Sequence, residues 1–290
     1  MVRKPTKTGR RASTPAKKPA ATPPRKAAGA SRKPATAVRA LRPAAPVVKP
    51  TVVFVGADKG GVGKSTVARA VLDFLALNNI KARAFDTEAP KGTLQRFHPD
   101  ETTIVDLTAT SDQMKIIDTL MASQARVSVI DVRAGGLSGA LSALEEIGFF
   151  EAVRSGEFGF VLLHVIGPSI ASLDEIAAIA PYVADAHYFI VKNHVNDTTF
   201  FEWDTQTHAK YFEDVTASGE ITIPRLRERA YEEVELAGAP FSTFIENRTA
   251  EGELAEHSFV LRGYVRSWLE RVADEFERAG LLDLLGASER

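Results

Sequence analysis

The sequence predicts an α/β fold in which a mostly parallel, twisted sheet is doubly wound, with helices on both faces. From residue 51 onward, short β-branched or aromatic runs alternate with longer stretches of helical periodicity, which is typical of repeated strand–helix units. A glycine-rich loop separates the first such run from the first helical stretch. With 290 residues, of which 44% are hydrophobic, the chain is long enough to bury one sizeable core.

The individual elements follow from these runs in chain order. The β-branched run at 51–57 predicts the first strand, and the apolar spacing over 64–78 predicts the first helix. The runs at 81–86 and 102–107 are short and only partly apolar, whereas 158–166 is almost wholly apolar. We predict strands at 51–57, 81–86, 102–107, 126–131, 158–166, 186–192 and 219–223. We predict helices at 64–78, 111–122, 138–154, 169–182, 225–237 and 251–279.

Residues 1–50 differ from the rest of the chain in composition and charge. They contain 14 Lys or Arg and no Asp or Glu, and consist mainly of Ala, Pro, Lys, Arg and Thr. With almost no large apolar side chains, such a segment cannot offset the entropy of ordering, so we expect a disordered basic arm before a folded domain at 51–290. The formal net charge of −1 therefore conceals an acidic body at 51–290, which contains 22 basic and 37 acidic residues.

The loop after the first predicted strand has the composition of a phosphate-binding loop. Glycines let the backbone turn tightly and direct N–H groups at a phosphate, and the following helix adds its positive end. Lys64 supplies a charge for the terminal phosphates, and the Ser65 hydroxyl suits Mg²⁺. The usual spacing has glycine at position 58, where this chain has Asp58. We expect the nucleotide to contact Gly60, Gly61, Val62, Gly63, Lys64, Ser65 and Thr66.

Acidic residues follow two other predicted strands, at the sheet edge where open α/β sheets bind ligands. Asp131 ends the apolar run 127–131 and is our candidate Mg²⁺ ligand together with Ser65. Glu88 or Asp86 is the candidate for positioning the attacking water. The alternative for Asp86 is a structural role as the cap of a turn.

The stretch Lys-Gly-Gly-Val-Gly-Lys-Ser-Thr at 59–66 resembles the deviant Walker A motif of the ParA/MinD family of ATPases. The resemblance implies that Lys59 reaches the nucleotide of a second subunit in an ATP-bound homodimer, and that Asp131 is the Walker B aspartate. The family's Asp-x-Asp-Pro-Gln segment is matched loosely by 86–91, which places Glu88 at the water-activating position. Here Glu replaces Asp, one residue is inserted before Pro90, and Lys91 replaces Gln. The sequence after Asp131, Val-Arg-Ala-Gly-Gly, also differs from the family's proline-rich continuation.

Two later segments resemble the part of this family that surrounds the base. The run 188–193 is similar to the strand whose final asparagine reads adenine, which implies ATP rather than GTP and assigns that role to Asn193. Asn193 as a simple strand-ending residue is the alternative. Pro224 lies in a stretch that resembles the family's segment beside the nucleotide. Arg225 and Arg229 share a helix face that is able to touch DNA, although a solvated face is the better interpretation.

The resemblance implies a nucleotide-timed switch with ATP and Mg²⁺ as cofactors and an unidentified cargo or stimulating protein as partner. The basic arm favours non-specific DNA as the surface that the dimer holds, hence a cytoplasmic, nucleoid-associated protein that positions a plasmid, a chromosome region or a protein complex. The segment 272–285 is acidic and interrupted by Gly280, so we predict no membrane anchor there. The alternatives are an ATPase accessory to conjugative transfer or another assembly machine, and a small-molecule ligase. The chain has no cysteine, which excludes disulfides and iron–sulfur chemistry.

Overall fold

The computed structural model describes residues 49–195, 198–202, 205–212 and 217–286. The predicted arm at 1–50 lies outside the described residues except for its last two. Pro50 already belongs to the folded body, because its side chain is buried and its carbonyl accepts the N–H of Gly159 at 2.8 Å.

The described residues form seven strands and eleven α-helices. The strands are β1 (Thr51–Gly56), β2 (Ala82–Asp86), β3 (Thr102–Ile104), β4 (Val127–Asp131), β5 (Gly159–Ile166), β6 (His187–Asn193) and β7 (Gly219–Ile223). The helices are α1 (Lys64–Leu77), α2 (Thr93–Phe97), α3 (Thr110–Ile117), α4 (Leu137–Glu146), α5 (Phe149–Arg154), α6 (Ile170–Ile179), α7 (Thr205–Phe212), α8 (Glu228–Ala237), α9 (Phe241–Ile245), α10 (Phe259–Arg278) and α11 (Leu281–Leu285).

All strand pairs are parallel, in the order β3-β2-β4-β1-β5-β6-β7. The predicted α/β class with a parallel, doubly wound sheet is therefore confirmed. β1 lies at the centre, and the chain changes sides across it between β4 and β5. Such a crossing point opens a crevice beyond the carboxyl ends of the strands. The glycine-rich loop, Asp86, Asp131 and Asn193 all lie at this edge because β1, β2, β4 and β6 end there.

The sheet has an apolar layer on each face, since successive strand residues point to opposite sides. Along β1, Val53 and Val55 pack with α1 and with helices α8 to α11, whereas Val52 and Phe54 pack with helices α3 to α7. The residues of β1 are almost wholly buried, which explains why its sequence is a continuous β-branched run. The phosphate loop thus starts from a fully buried strand at the centre of the sheet.

Four boundary predictions were wrong. The helix at 111–122 ends at Ile117, where α3 passes into a turn. The strand at 102–107 ends at Ile104, because β3 is an edge strand that pairs only with the last three residues of β2. The helix at 138–154 is broken at Gly148, which adopts a positive φ of 72° between α4 and α5. The helix at 251–279 begins only at Phe259, because the preceding residues form a turn closed by a bridge between Arg248 and Leu254.

Several short helices were not predicted, and two of them begin on an aspartate from elsewhere in the chain. Asp73 on α1 is buried, and its two carboxylate oxygens accept the N–H groups of Phe241 at 3.0 Å and Ser242 at 3.1 Å, the first residues of α9. The Ser242 hydroxyl donates to the same carboxylate. These bonds fasten α9 to α1, and the α9 side chains Phe241 and Phe244 fill the core beside Trp268.

We expect Asp73→Ala to lower the free energy of unfolding by about 1–3 kcal/mol, because two buried N–H groups and a hydroxyl lose their acceptor. Urea denaturation of the purified protein measures this. Asp274→Ala, an exposed aspartate on α10, is the matched control and should change the free energy by less than about 0.5 kcal/mol. Equal stabilities for the two variants would contradict the capping role.

Candidate functional site

The chain between the end of β1 and the start of α1 forms the predicted phosphate loop. Gly61 and Gly63 have positive φ values of 74° and 88°, which other residues rarely adopt. A Cβ on Gly63 would also lie 2.1 Å from Nδ2 of Asn193, so glycine is required here for space as well. Among the described residues no side chain caps the first turn of α1. Its N–H groups are therefore available to an anion at the positive end of the helix.

Lys64, the first residue of α1, is 8% exposed, and its Nζ donates to the carbonyl of Lys59 at 3.1 Å. Burial lowers the pKa of this ammonium, and the negative charges of surrounding carboxylates oppose that shift. Those carboxylates belong to Asp131, Glu175, Glu88 and Asp58. Lys64 thus places a partly desolvated cation at the floor of the cleft, where its attraction for a phosphate is strongest.

Ser65 and Asp131 meet on the other side of this cation. The Ser65 side chain is hydrogen-bonded to the Asp131 carboxylate, and Oδ1 of Asp131 is buried without a partner among the described residues. Burial raises the pKa of Asp131 to about 7, because the charged carboxylate is poorly solvated there. A bound cation would stabilise the charged form. Hydroxyl and carboxylate oxygens are ligands that Mg²⁺ prefers. The donor set therefore fits the magnesium site predicted from the sequence.

No group of three or more His, Cys, Asp or Glu side chains able to hold a metal occurs in the part of the chain that the structure describes. A metal at Ser65 and Asp131 would consequently take its remaining ligands from phosphate oxygens and water, as Mg²⁺ commonly does with nucleotides.

Asp86 and Glu88, the two candidates for positioning water, have different surroundings. Asp86 is 1% exposed, and its carboxylate accepts backbone N–H groups from Leu94 at 2.8 Å, Glu88 at 2.9 Å and Gln95 at 3.3 Å. It caps α2, which matches the alternative interpretation of this residue. Burial also raises the pKa of Asp86. Glu88 is exposed at the cleft, and the one hydrogen bond that its carboxylate accepts from the described residues is a long one of 3.3 Å from the Thr93 hydroxyl. Glu88 is thus the better placed of the two to contact water.

A second cleft of about 300 Å³ adjoins the phosphate loop on the side of β6 and β7. Asn193, the last residue of β6, is buried, and its Nδ2 donates to the carbonyl of Val62 at 2.7 Å. One of its two amide protons therefore secures the loop, and its role in reading a base stays a prediction. Pro224 also lines this cleft, and its carbonyl accepts the indole N–H of Trp268 at 2.6 Å. Tyr231 on α8 lines both this cleft and the phosphate cleft.

The other predicted loop residues lie at the rim or between the two clefts. Lys59 and Gly60 are exposed at the tip of the loop, with the Lys59 side chain free to extend outward. Gly61 and Thr66 line both clefts, so a ligand spanning the two must pass over them. The structure thus places ten of the thirteen predicted site residues on the walls of the two clefts, whereas Lys59, Gly60 and Val62 line neither. The role of Lys59 across a dimer stays a prediction.

Asp58 was noted in the sequence only as a departure from the usual glycine, and its function was missed. Its Oδ1 accepts the N–H of Leu137 at 2.8 Å, and its Oδ2 accepts the Ser138 hydroxyl at 2.6 Å, so it caps α4. Its carbonyl accepts the N–H of Gly135 at 2.8 Å, and its own N–H donates to Glu175 at 2.8 Å. Asp58 therefore joins the phosphate loop to the loop that follows Asp131.

A threonine makes a similar connection between the two acidic strand ends, and no local pattern in the sequence indicates it. The Thr87 N–H donates to the Asp131 carbonyl at 3.0 Å, and its hydroxyl accepts the N–H of Arg133 at 2.7 Å. As a result, the segments that carry Glu88 and Asp131 are held against each other.

No helix among the described residues is long and apolar enough to cross a membrane. In the C-terminal segment that we predicted not to be an anchor, Leu281 and Leu285 are buried in the core with α1 and α10.

Comparison with known proteins gives matches among solved structures only. No family model and no curated protein matches the chain. The septum site-determining protein MinD of Pyrococcus horikoshii, complexed with Mg-ADP, is 16% identical and has a TM-score of 0.48, covering 82% of this chain and 99% of that one. A ParA family ATPase of Chlorobium tepidum is 14% identical with a TM-score of 0.45, covering 76% and 99%. A plasmid partition protein of Borrelia burgdorferi is 13% identical with a TM-score of 0.36, covering 79% and 99%.

These proteins are of the class that the motif at 59–66 resembles. With identities of 13–16% and TM-scores below 0.5, the similarity does not assign an activity to this chain. The activity has to be inferred from the side chains of the two clefts.

We expect Asp58→Ala to lower the free energy of unfolding by about 1–2 kcal/mol, the upper range for loss of a helix cap. Asp58→Asn should lose less, because its amide oxygen still accepts one of the bonds. Urea denaturation checks both variants, and Asp174→Ala, an exposed aspartate on α6, is the control. Wild-type stability in Asp58→Ala would show that the cap contributes nothing.

Proposed function

We propose that this protein is a Mg²⁺-dependent ATPase of the ParA type. One observation carries the proposal: Lys64, Ser65, Asp131 and Glu88 converge on a single cleft at the start of α1, next to an uncapped helix end. A cation, a metal-ligand pair and an exposed carboxylate are the groups that phosphoryl transfer to water requires.

Each residue has a separate task in this proposal. The loop N–H groups and Lys64 bind the phosphates and neutralise charge that builds up on the leaving group. Ser65 and Asp131 would hold Mg²⁺, which when bound would supply positive charge to the phosphates. Glu88 orients water toward the terminal phosphate and accepts its proton. Asp86 supports this arrangement by fixing the turn that carries Glu88.

The adjoining cleft is suited to the base and its sugar. Its walls include the apolar residues Ile223, Leu226 and Trp268, and Asn193 supplies a polar amide at its end. Apolar and aromatic walls combined with a few polar groups are typical of sites for planar aromatic ligands, and this cleft also carries the polar side chains of His194, Arg225 and Glu228. Together with the absence of an Asn-Lys-x-Asp sequence after β6, this supports ATP as the nucleotide.

We further propose that ATP draws two subunits together and that hydrolysis releases them. Support comes from Lys59, which is exposed at the loop tip while its carbonyl is fixed by Lys64. A long cationic side chain on a fixed backbone is able to reach a phosphate on a facing subunit.

The ATP-bound dimer would hold DNA without sequence preference through the basic arm, and a cargo or stimulating protein would trigger release. Fourteen cations without carboxylates favour phosphate contacts, and the acidic body makes the arm the cationic part of the chain. Such a protein would be cytoplasmic and associated with the nucleoid.

We expect Glu88→Gln to slow ATP hydrolysis by about a hundredfold or more, since a positioned base contributes that much, while ATP binding persists. Phosphate release measures turnover, and light scattering measures the mass of the ATP-bound species, which should stay dimeric. Glu146→Gln, an exposed glutamate on α4, is the control. Wild-type turnover in Glu88→Gln would move the water-positioning role to another residue.

Two lysine variants separate nucleotide binding from dimerisation, when ATP binding is measured beside the mass by light scattering. Lys64→Ala should abolish nucleotide binding, whereas Lys59→Ala should still bind ATP as a monomer. An ATP-dependent dimer of normal strength in Lys59→Ala would rule out the role of Lys59 across the interface.

Removing residues 1–48 should abolish or sharply weaken the ATP-dependent retardation of non-specific duplex DNA at low salt. This deletion spares Pro50, whose carbonyl bonds to Gly159, so the body should keep its stability. Affinity of the full chain should fall steeply as salt rises. Unchanged DNA binding after deletion would move the DNA surface to the body.

A further inference from the structure

We propose that Arg133 is a second cation for the terminal phosphate of the bound nucleotide, acting beside Lys64. This inference rests on the proposed function. Arg133 lies two residues beyond Asp131 and lines the phosphate cleft together with Glu88 and Ser65. At the position of Arg133, the ParA/MinD family that the chain resembles has a proline-rich sequence. The resemblance therefore assigns no function to Arg133.

The balance of charge in the cleft calls for another cation. Its walls carry three cations and four carboxylates: Lys64, Arg69 and Arg133 against Asp86, Glu88, Asp131 and Glu235. Arg69 and Glu235 neutralise each other through an ion pair of 2.7 Å. Lys64 and Arg133 are left to face three carboxylates. A triphosphate adds several further negative charges, which two cations and a metal accommodate better than one cation does.

The backbone that carries Arg133 is held on both sides. The Arg133 N–H donates to the Thr87 hydroxyl at 2.7 Å, and its carbonyl accepts the N–H of Gly136 at 3.1 Å. The preceding N–H, of Val132, donates to the carbonyl of Val55 at 2.9 Å. Asp58 fixes the far end of the loop through its bond to Gly135 at 2.8 Å. A side chain that stabilises a transition state benefits from a fixed backbone, because less conformational entropy is lost when the ligand binds.

The guanidinium, in contrast, is not committed to the fold. The residue is exposed, and it forms no ion pair with any residue that the structure describes. The Arg133 side chain passes over Gly136. A Cβ at position 136 would lie 2.9 Å from Cγ of Arg133, so the glycine leaves room for the arginine side chain. The Arg133 charge does reach Asp106, but the pKa of that carboxyl is lowered mainly by bonds from Thr108 and only to a lesser degree by Arg133. A planar guanidinium with unused donors fits phosphate oxygens in pairs.

Isothermal titration calorimetry with a non-hydrolysable ATP analogue and with ADP, both with Mg²⁺, tests the proposal without relying on turnover. Arg133→Ala should weaken the analogue by about ten- to a hundredfold, the value of a charge-assisted contact, and ADP by less than about twofold. Arg133→Lys should recover part of the loss. Arg271→Ala, an exposed arginine on α10, should leave both affinities unchanged.

The outcomes separate this inference from the proposed function. Equal losses for the two nucleotides, or no loss for the analogue, would overturn the role of Arg133 while leaving the ATPase intact. A wild-type protein that binds neither nucleotide would overturn both. Repeating the titration in the Lys59→Ala background, where no ATP-bound dimer is expected, should preserve the selective loss. Its disappearance there would show that Arg133 does not act on the nucleotide of its own subunit.

Discussion

The hydrogen bonds of Asp58 are the interaction on which the geometry of the site depends. Through one side chain and its own peptide groups, this residue ties the phosphate loop to α4, to the loop after Asp131 and to Glu175 on α6. A glycine at this position offers none of the side-chain bonds. The chain has therefore exchanged backbone freedom at the start of the loop for a fixed distance between the two loops that line the phosphate cleft.

Asp58 is one of three aspartates that cap a helix other than one that they begin themselves; for Asp58 and Asp73 that helix is far away in the sequence, and for Asp86 it is the next one. Asp86 caps α2 and Asp73 caps α9 in the same way. These bonds explain which parts of the fold the sequence predicts. All seven strands were predicted. The central strands β1, β4 and β5 are buried and have continuous apolar runs, whereas β2 and β3 come from runs that are only partly apolar. The five-residue helices α2, α9 and α11 were not predicted, because fewer than two turns give no readable period and the start of α9 depends on a carboxylate 168 residues away.

The candidate site divides along a similar line. The phosphate loop was predictable because its glycines, Lys64 and Ser65 are contiguous, and Asp131 because it ends an apolar strand. The choice between Asp86 and Glu88 was not, since it depends on which carboxylate the N–H groups of α2 take up. Nor did the sequence indicate that Asn193 would bond to Val62, or that Tyr231 and Arg133 would line the cleft. Arg133, Asn193 and Tyr231 lie between 67 and 172 positions from the phosphate loop at 59–66, and only the folded sheet brings them together.

The central place of β1 also bears on how the protein is made. Its two edges are covered by β4 and β5, which the ribosome delivers only after residue 166. Until then one edge of the strongly apolar strand β1 has no pairing partner, and the nascent polypeptide is able to associate with other chains through it. The hydrogen bond from Asn193 to the phosphate loop forms later still, once β6 has been synthesised. A ribosome-bound fragment shorter than about two thirds of the chain thus has no completed nucleotide pocket, so ligand is able to assist only the last stage of maturation.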